Sequence, residues 1–187
     1  MPAPPKDLIV ALSGPLCAGK TTLARHLATE LKLDLVSVRE LLKQAADRED
    51  APRDVLQTIG EAIEGQTRGR WIADAVVRRL AVGGRGLVID AIRTRAQARA
   101  LRKLLGDRVA LVHLTASETE RGRRFEERRP IEAPDRDTSF DAASTHAIER
   151  DADVVSVEAD LTLDTTRLSH EATVATVLSW LDRRPLR

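Results

Sequence analysis

The residues best suited to chemistry form one short run near the start of the chain. Residues 14–21 read Gly-Pro-Leu-Cys-Ala-Gly-Lys-Thr, the spacing G-x-x-x-x-G-K-[ST] of a phosphate-binding loop. Glycines let the backbone curl so that its N–H groups point at a phosphate, and a following helix N-terminus adds partial positive charge. Lys20 would then reach the β- and γ-phosphates of ATP, and the Thr21 hydroxyl would bind Mg²⁺. The residues predicted to bind the nucleotide are Gly14, Pro15, Leu16, Cys17, Ala18, Gly19, Lys20, Thr21 and Thr22.

A second group of candidates follows an apolar run. Residues 86–90 predict a buried strand that ends in Asp90, and Arg93 comes three residues later. The carboxyl ends of parallel strands open on the same crevice as a phosphate loop. Asp90 would therefore hold a water molecule of the Mg²⁺ shell or accept a proton from the phosphoryl acceptor, and Arg93 would bind an acceptor phosphate through its planar fork. The alternative is a turn carboxylate and a surface arginine.

A third group is an arginine-rich stretch, residues 117–129, whose arginines recur at i, i+3 and i+7 and so share one helix face. They are Arg121, Arg124 and Arg128. Interleaved glutamates would also suit a solvated face held by ion pairs. Residues 130–137 are charged, contain two prolines and predict a mobile loop. We therefore favour a lid over 121–140, in which Arg124 and Arg128 supply charge in the transition state.

A parallel sheet would bring these groups together. Short apolar runs alternate with longer amphipathic stretches, a pattern typical of βαβ units. We predict an α/β fold with a five-stranded parallel sheet and helices on both faces. The predicted strands are 8–13, 33–38, 86–90, 109–114 and 161–164, with 154–157 competing for the fifth place; the predicted helices are 21–31, 39–46, 54–64, 71–82, 94–105, 117–129, 139–150 and 169–181.

Composition limits the class of protein. The chain has 187 residues, the size of one domain, and 30 basic against 29 acidic side chains leave a net charge of +1, so no global field attracts nucleic acid or an anionic membrane. One cysteine excludes an internal disulfide and a multi-cysteine metal site. We find no membrane span or signal-peptide pattern and expect a cytoplasmic monomer or homodimer.

Two absences narrow the nucleotide-binding classes. The chain contains no asparagine, which excludes the Asn-Lys-x-Asp motif that reads guanine in GTPases and the catalytic loop of protein kinases. No predicted strand ends in two acidic residues, which argues against an AAA-type motor. A small-molecule kinase, a regulatory ATPase or a degenerate nucleotide-binding protein remains.

Together, the phosphate loop, the run Ile-Asp-Ala-Ile-Arg at 89–93 and the arginine-rich segment resemble the nucleoside monophosphate kinase group. Within it the chain is similar to deoxynucleoside monophosphate kinases and dephospho-coenzyme A kinase-like proteins. The similarity extends over residues 8–181, and residues 53–60, Trp71 and 146–149 also contribute to it.

The resemblance implies one P-loop kinase domain over residues 1–187, with a helical acceptor-binding region at 39–82 and a lid at 121–140. It implies ATP as phosphoryl donor, Mg²⁺, and a nucleoside or deoxynucleoside monophosphate as small-molecule acceptor. The implied catalytic residues are Lys20, Asp90, Arg124 and Arg128, and the implied acceptor-binding residues are Arg39, Arg53, Trp71 and Arg93.

Two other functions remain open. The same chemistry would serve a hydroxyl acceptor such as a sugar, a cofactor precursor or an antibiotic, in which case Asp90 is the base. A regulatory nucleotide-binding protein would have no acceptor and would hydrolyse ATP slowly, without stimulation by a metabolite.

Overall fold

A five-stranded parallel sheet forms the centre of the structure, a computed structural model that describes residues 8–83, 86–128, 139–144 and 151–184. Its strands are β1 Leu8–Ser13, β2 Asp34–Ser37, β3 Gly86–Asp90, β4 Val109–Thr115 and β5 Leu161–Asp164. They lie in the order β2-β3-β1-β4-β5, and every neighbouring pair is parallel. The predicted fold class is therefore confirmed.

The described helices lie close to the predicted positions, and residues 145–150 of the predicted helix 139–150 lie outside the described residues. They are α1 Lys20–Leu31, α2 Val38–Ala46, α3 Arg53–Thr67, α4 Arg70–Ala81, α5 Arg95–Leu105, α6 Glu118–Arg128, α7 Phe140–Ser144 and α8 His170–Arg183, with 3₁₀ helices at Gly106–Arg108 and Asp151–Glu158. Side-chain caps explain several boundaries. Thr94 accepts a hydrogen bond from the Gln97 N–H and begins α5, as predicted. Ser37 accepts from the Glu40 N–H, so α2 begins at Val38, which the sequence analysis placed in a strand.

Helices cover both faces of the sheet, because the central strand alternates between two cores. All six residues of β1 are buried. Val10 and Leu12 belong to a core formed with α1 and α8, whereas Ile9 and Ala11 belong to a core formed with α4 and α5. A strand buried on both faces reads as a continuous apolar run, which is how it appears in the sequence.

Of the two candidates for the fifth strand, residues 161–164 form β5 and residues 154–157 lie in the second 3₁₀ helix. Val155 is fully buried against the second core, whereas Val157 is 72% exposed. The Val155 side chain therefore anchors this segment to the second core.

A third, smaller apolar cluster fixes α6 and α7 beside the phosphate loop. Leu16 in the loop, Phe125 in α6 and Ala143 in the last turn of α7 are buried together. Cys17 and Phe140 pack against them. The rings of Phe125 and Phe140 lie 5.8 Å apart between centroids. None of the helices in the described ranges combines the length and apolar character that a membrane span requires.

Candidate active site

The phosphate loop joins β1 to α1, as the sequence analysis predicted. Gly14 has φ 134°, and a Cβ atom there would lie 2.1 Å from the Leu114 carbonyl oxygen on β4, so only glycine fits. Cys17 and Gly19 also have positive φ, at 61° and 96°. These positive-φ positions curl the backbone around the N-terminus of α1, where the backbone N–H groups of the first turn favour an anion.

Lys20 begins α1 and extends across the loop. Its Nζ donates a hydrogen bond of 2.6 Å to the Pro15 carbonyl oxygen. The next residue, Thr21, is exposed in the first turn of the helix, and Thr22 is half-buried. Lys20 and the two threonines thus form the start of α1, directly after the loop.

A shallow cleft adjoins the second half of the loop. One wall comes from the loop and α1, a second from α6, and the third from the connection between β5 and α8 together with the first turn of α8. The cleft is lined by Ala18, Gly19, Thr22, Leu23, Arg124, Thr165, Leu168, His170, Thr173 and Val174.

Hydrogen bonds connect Arg124 on α6 to both neighbouring walls of this cleft. Its Nε donates to Glu120 at 2.8 Å. Its Nη1 donates to the Cys17 carbonyl oxygen at 3.3 Å and to the Thr165 hydroxyl at 3.0 Å, and its Nη2 donates to the Thr165 carbonyl oxygen at 2.7 Å. Four of the five N–H groups of the Arg124 guanidinium are thus engaged by protein acceptors.

Glu120 supports this arrangement electrostatically. Hydrogen bonds from Arg123 first, and then from Arg124, lower the pKa of the Glu120 carboxyl to about 2. Arg123 lies on the exposed side of the helix, where it also pairs with Glu127. The helix thus has two arginine environments: Arg123 forms exposed ion pairs, and Arg124 reaches the phosphate loop.

The other two arginines of the predicted face lie over aromatic rings. Arg121 places its guanidinium 5.6 Å from the centroid of Phe140, and Arg128 places its guanidinium 5.7 Å from that of Phe125. All three arginines of the i, i+3, i+7 pattern thus lie on the side of α6 that faces the phosphate loop and the third apolar cluster. Residues 129–138 of the predicted lid, including the whole of the predicted mobile loop at 130–137, lie outside the described residues.

The segment after β3 lies beside the end of β1. Asp90 ends β3, is half-buried and is in register with Ser37 at the end of β2. The Ile92 N–H donates to the Leu12 carbonyl oxygen at 2.9 Å, two residues before the phosphate loop begins. Asp90 and Arg93 are therefore at the same sheet edge as the loop, as the sequence predicted.

A carboxylate that the sequence analysis did not identify holds this segment to α3 and α4. Glu64 accepts hydrogen bonds from the Thr94 hydroxyl at 2.5 Å, the Gln97 amide at 2.9 Å and the Trp71 indole N–H at 3.0 Å. Gln97 in turn accepts a 2.8 Å hydrogen bond from the Arg93 N–H. The position of the Arg93 backbone therefore depends on a side chain from α3.

The turn between α3 and α4 also packs tightly against α5. Gly69 has φ 80°, and a Cβ atom there would lie 2.4 Å from the Ala96 carbonyl carbon.

Trp71 is half-buried and packs against the second core. Its predicted contact with an acceptor base stays a prediction. Arg39 is exposed on α2, and Arg53 begins α3 with its side chain outside the described residues, so their contacts with an acceptor also stay predictions.

The sequence analysis missed the wall of the cleft that follows β5. Thr165, Leu168 and Thr173 line the cleft, although none belongs to a recognisable motif. One signal was present, because Thr165 directly follows a correctly predicted parallel strand, and such strand ends share one crevice. Glu64 gave no comparable signal, since it is one glutamate in the interior of a polar helix.

A family model described as an AAA domain matches residues 10–141 of this chain. The matched range begins within β1 and includes the phosphate loop, β3 and α6. None of the curated proteins compared with the sequence matches it significantly.

Solved structures match over nearly the whole chain. Shikimate kinase from Acinetobacter baumannii in complex with shikimate has a TM-score of 0.60 at 18% identity, covering 97% of this chain and 96% of that one. A sugar kinase from a Janibacter species has a TM-score of 0.57 at 18% identity, covering 96% of each chain. The YorR protein of Bacillus subtilis in complex with phosphorylated GDP has a TM-score of 0.53 at 18% identity, covering 93% and 95%. The fold is that of P-loop kinases.

Proposed function

This chain belongs to the AAA domain family, and we propose that it is an ATP-dependent phosphotransferase acting on a small molecule. The observation that carries the proposal is the phosphate loop at the N-terminus of α1, with Lys20 across it and a cleft beside it. No strand in the described ranges ends in two acidic residues, and β3 ends in Asp90 alone, which favours transfer to an acceptor over a motor cycle.

We place the base of the nucleotide at this cleft. Protein acceptors hold four N–H groups of the Arg124 guanidinium, and the side chain lines the cleft. A planar guanidinium held in this way stacks on an aromatic ring. Leu23, Leu168 and Val174 supply an apolar lining opposite. A base in this cleft would place its triphosphate along the loop.

The loop supplies the groups that phosphoryl transfer requires. An oxygen of the acceptor forms a bond to the γ-phosphorus while the bond from that phosphorus to the β–γ bridging oxygen breaks, and ADP leaves. Lys20 and the N–H groups at the start of α1 stabilise the negative charge of the migrating group. The chemistry is therefore positioning and charge stabilisation.

The residues present fit a magnesium ion shared with the nucleotide. Thr21 and Asp90 offer a hydroxyl and a carboxylate, the oxygen donors that Mg²⁺ prefers. Within the part of the chain that the structure describes, no group of three or more histidine, cysteine, aspartate or glutamate side chains is arranged to hold a metal by itself. Thr21 and Asp90 would hold the ion, which would neutralise negative charge on the phosphates.

We favour a nucleoside or deoxynucleoside monophosphate as acceptor. Arg93 lies at the same sheet edge as the phosphate loop, where its fork would bind the acceptor's phosphate. In this proposal residues 39–82 form the acceptor side, with Arg39, Arg53 and Trp71 as contacts, and residues 121–140 form a lid that brings Arg128 over the transferring group. The resemblance of the motifs to nucleoside monophosphate kinases supports this choice.

A hydroxyl acceptor is the second candidate. The structural similarity to a shikimate kinase and a sugar kinase is consistent with it, because both of those proteins are named for hydroxyl compounds. In that case Asp90 takes the proton of the attacking hydroxyl and is required as a base.

A screen of ATP consumption separates these possibilities. Purified protein with MgATP would be tested against all ribo- and deoxynucleoside monophosphates, dephospho-coenzyme A, shikimate and a panel of sugars. Stimulation by one monophosphate supports the leading proposal, and stimulation by a hydroxyl compound alone supports the second. The Lys20→Ala variant, folded by circular dichroism, is the control and should lose transfer by at least about 10³-fold. Slow hydrolysis without stimulation by any compound would contradict both and indicate a regulatory protein.

A further inference from the structure

Thr165 lies at the point where three parts of the donor site meet. It follows β5, is only 3% exposed and lines the cleft. Its hydroxyl lies 3.1 Å from the Ala18 carbonyl oxygen of the phosphate loop, 3.0 Å from the Thr115 carbonyl oxygen at the end of β4, and 3.0 Å from Nη1 of Arg124. One hydroxyl thus touches the loop, the sheet and α6.

The geometry assigns each of these contacts a direction. A guanidinium only donates, so the Thr165 oxygen accepts from Arg124 and its single proton is shared between the two carbonyl oxygens. The backbone N–H of Thr165 already donates to Thr115 at 2.8 Å. Ala18 is fully buried, and a buried carbonyl oxygen needs a donor. The hydroxyl therefore matters most for Ala18.

The contact with Arg124 strengthens this bond. A hydrogen bond from a charged donor polarises the hydroxyl that accepts it, and the polarised hydroxyl becomes a better donor to Ala18. The carbonyl oxygen of Thr165 also accepts from Arg124 at 2.7 Å. Thr165 thus holds the guanidinium at two atoms and the loop at a third.

We propose that Thr165 is a positioning residue for the phosphoryl donor, whose hydroxyl fixes the phosphate loop and the Arg124 guanidinium relative to each other. The inference rests on the proposed binding of ATP to this loop and cleft. Because the nucleotide would contact both the loop and Arg124, a fixed distance between them pre-organises the site. Thr165 itself takes no part in the transfer.

Thr165→Val tests the proposal, because valine keeps the shape and removes the hydroxyl. It leaves the Ala18 carbonyl without this donor and Nη1 of Arg124 without this acceptor. We expect the Kd for MgATP, measured by titration calorimetry, to rise about 10- to 100-fold, as for a charge-assisted buried hydrogen bond. Thr165→Ser restores the hydroxyl and should bind MgATP within about threefold of wild type. Thr176→Val, an exposed threonine on α8, is the matched control and should bind as wild type does.

The outcomes are distinct. If wild type binds MgATP and Thr165→Val binds it equally well, the inference is wrong while the proposed function stands. A loss in Thr165→Val that Thr165→Ser does not restore also overturns it, since side-chain volume would then be the cause. If wild type itself does not bind MgATP, the proposed function fails, and the inference fails with it. Should the valine variant not fold, Thr165→Ala adds no bulk and carries the same expectation.

Discussion

At the scale of single residues, the role of Arg93 decides between the two acceptor classes. Its backbone N–H is fixed by Gln97, so the start of its side chain is held at the sheet edge beside the phosphate loop. We expect Arg93→Ala to raise the acceptor KM about 30- to 150-fold, since losing a charge-assisted contact costs about 2–3 kcal/mol, with little change in the KM for ATP. Arg93→Lys should restore only part of the loss, because lysine keeps the charge but not the fork. Steady-state kinetics with the acceptor identified by the screen measures both.

Asp90→Asn completes that comparison. With a phosphate acceptor, raising Mg²⁺ should partly restore its activity, whereas with a hydroxyl acceptor the base is lost and no metal concentration restores it. The nucleotide-phosphate proposal fails if Arg93→Ala keeps the wild-type acceptor KM while Asp90→Asn stays inactive at every Mg²⁺ concentration.

Glu120 gives a prediction for pH. Arg123 first, and then Arg124, lower the pKa of the Glu120 carboxyl to about 2, whereas the ordinary pKa of a glutamate is about 4.3. A carboxyl with a lowered pKa stabilises the folded state fully above the ordinary pKa and loses this contribution as the pH falls toward the folded-state value. The difference in unfolding free energy between wild type and Glu120→Gln should therefore be constant from pH 7 to 5 and shrink between about pH 4 and 2. Urea unfolding measures it, with Glu118→Gln on the same helix as the control. A difference that does not change with pH would contradict the ion pairing.

At the scale of elements, α6 combines two different arginine environments. Arg124 contacts the loop and the β5–α8 connection, so Arg124→Ala should raise the Kd for MgATP as well as lower kcat. Arg128 lies over Phe125, and if the lid closes we expect Arg128→Ala to lower kcat about 10³-fold or more while leaving the Kd for MgATP near wild type. Arg123→Ala, on the exposed side, is the control. Wild-type kcat in both Arg124→Ala and Arg128→Ala would show that α6 is only a solvated helix.

The junction of α3, α4 and α5 depends on Glu64. Glu64→Ala leaves the Thr94 hydroxyl, the Gln97 amide and the Trp71 N–H without their acceptor, and we expect a loss of about 1–3 kcal/mol in the free energy of unfolding. The Arg93 amide should also exchange its hydrogen faster, since Gln97 is no longer held. Urea unfolding and hydrogen exchange of residues 91–97 check the two effects. Glu61→Ala, an exposed neighbour on α3, should show neither, and unchanged exchange in Glu64→Ala would contradict the link.

At the scale of the whole molecule, the sequence predicted the layers and the loop but not their side-chain connections. The alternation of apolar runs gave all five strands, and the cap at Thr94 gave the start of α5. The ambiguity between 154–157 and 161–164 arose because a short apolar run has no period that separates a strand from a helix. Contacts such as Thr165 with Ala18 join residues 147 positions apart, so no local pattern reveals them. The finer resemblance to nucleoside monophosphate kinases stays a prediction.

The hydrogen bond from Trp71 to Glu64 has a consequence for spectroscopy. The chain contains no tyrosine and only two tryptophans, Trp71 and Trp180. Its intrinsic indole fluorescence therefore comes from these two side chains. Trp180 lies on α8 and packs against the first core, whereas Trp71 adjoins the network that fixes Arg93. Trp180→Phe and Trp71→Phe therefore each leave a single intrinsic fluorophore, so that changes near the junction of α3, α4 and α5 and changes near the end of α8 can be followed as separate optical signals without a label.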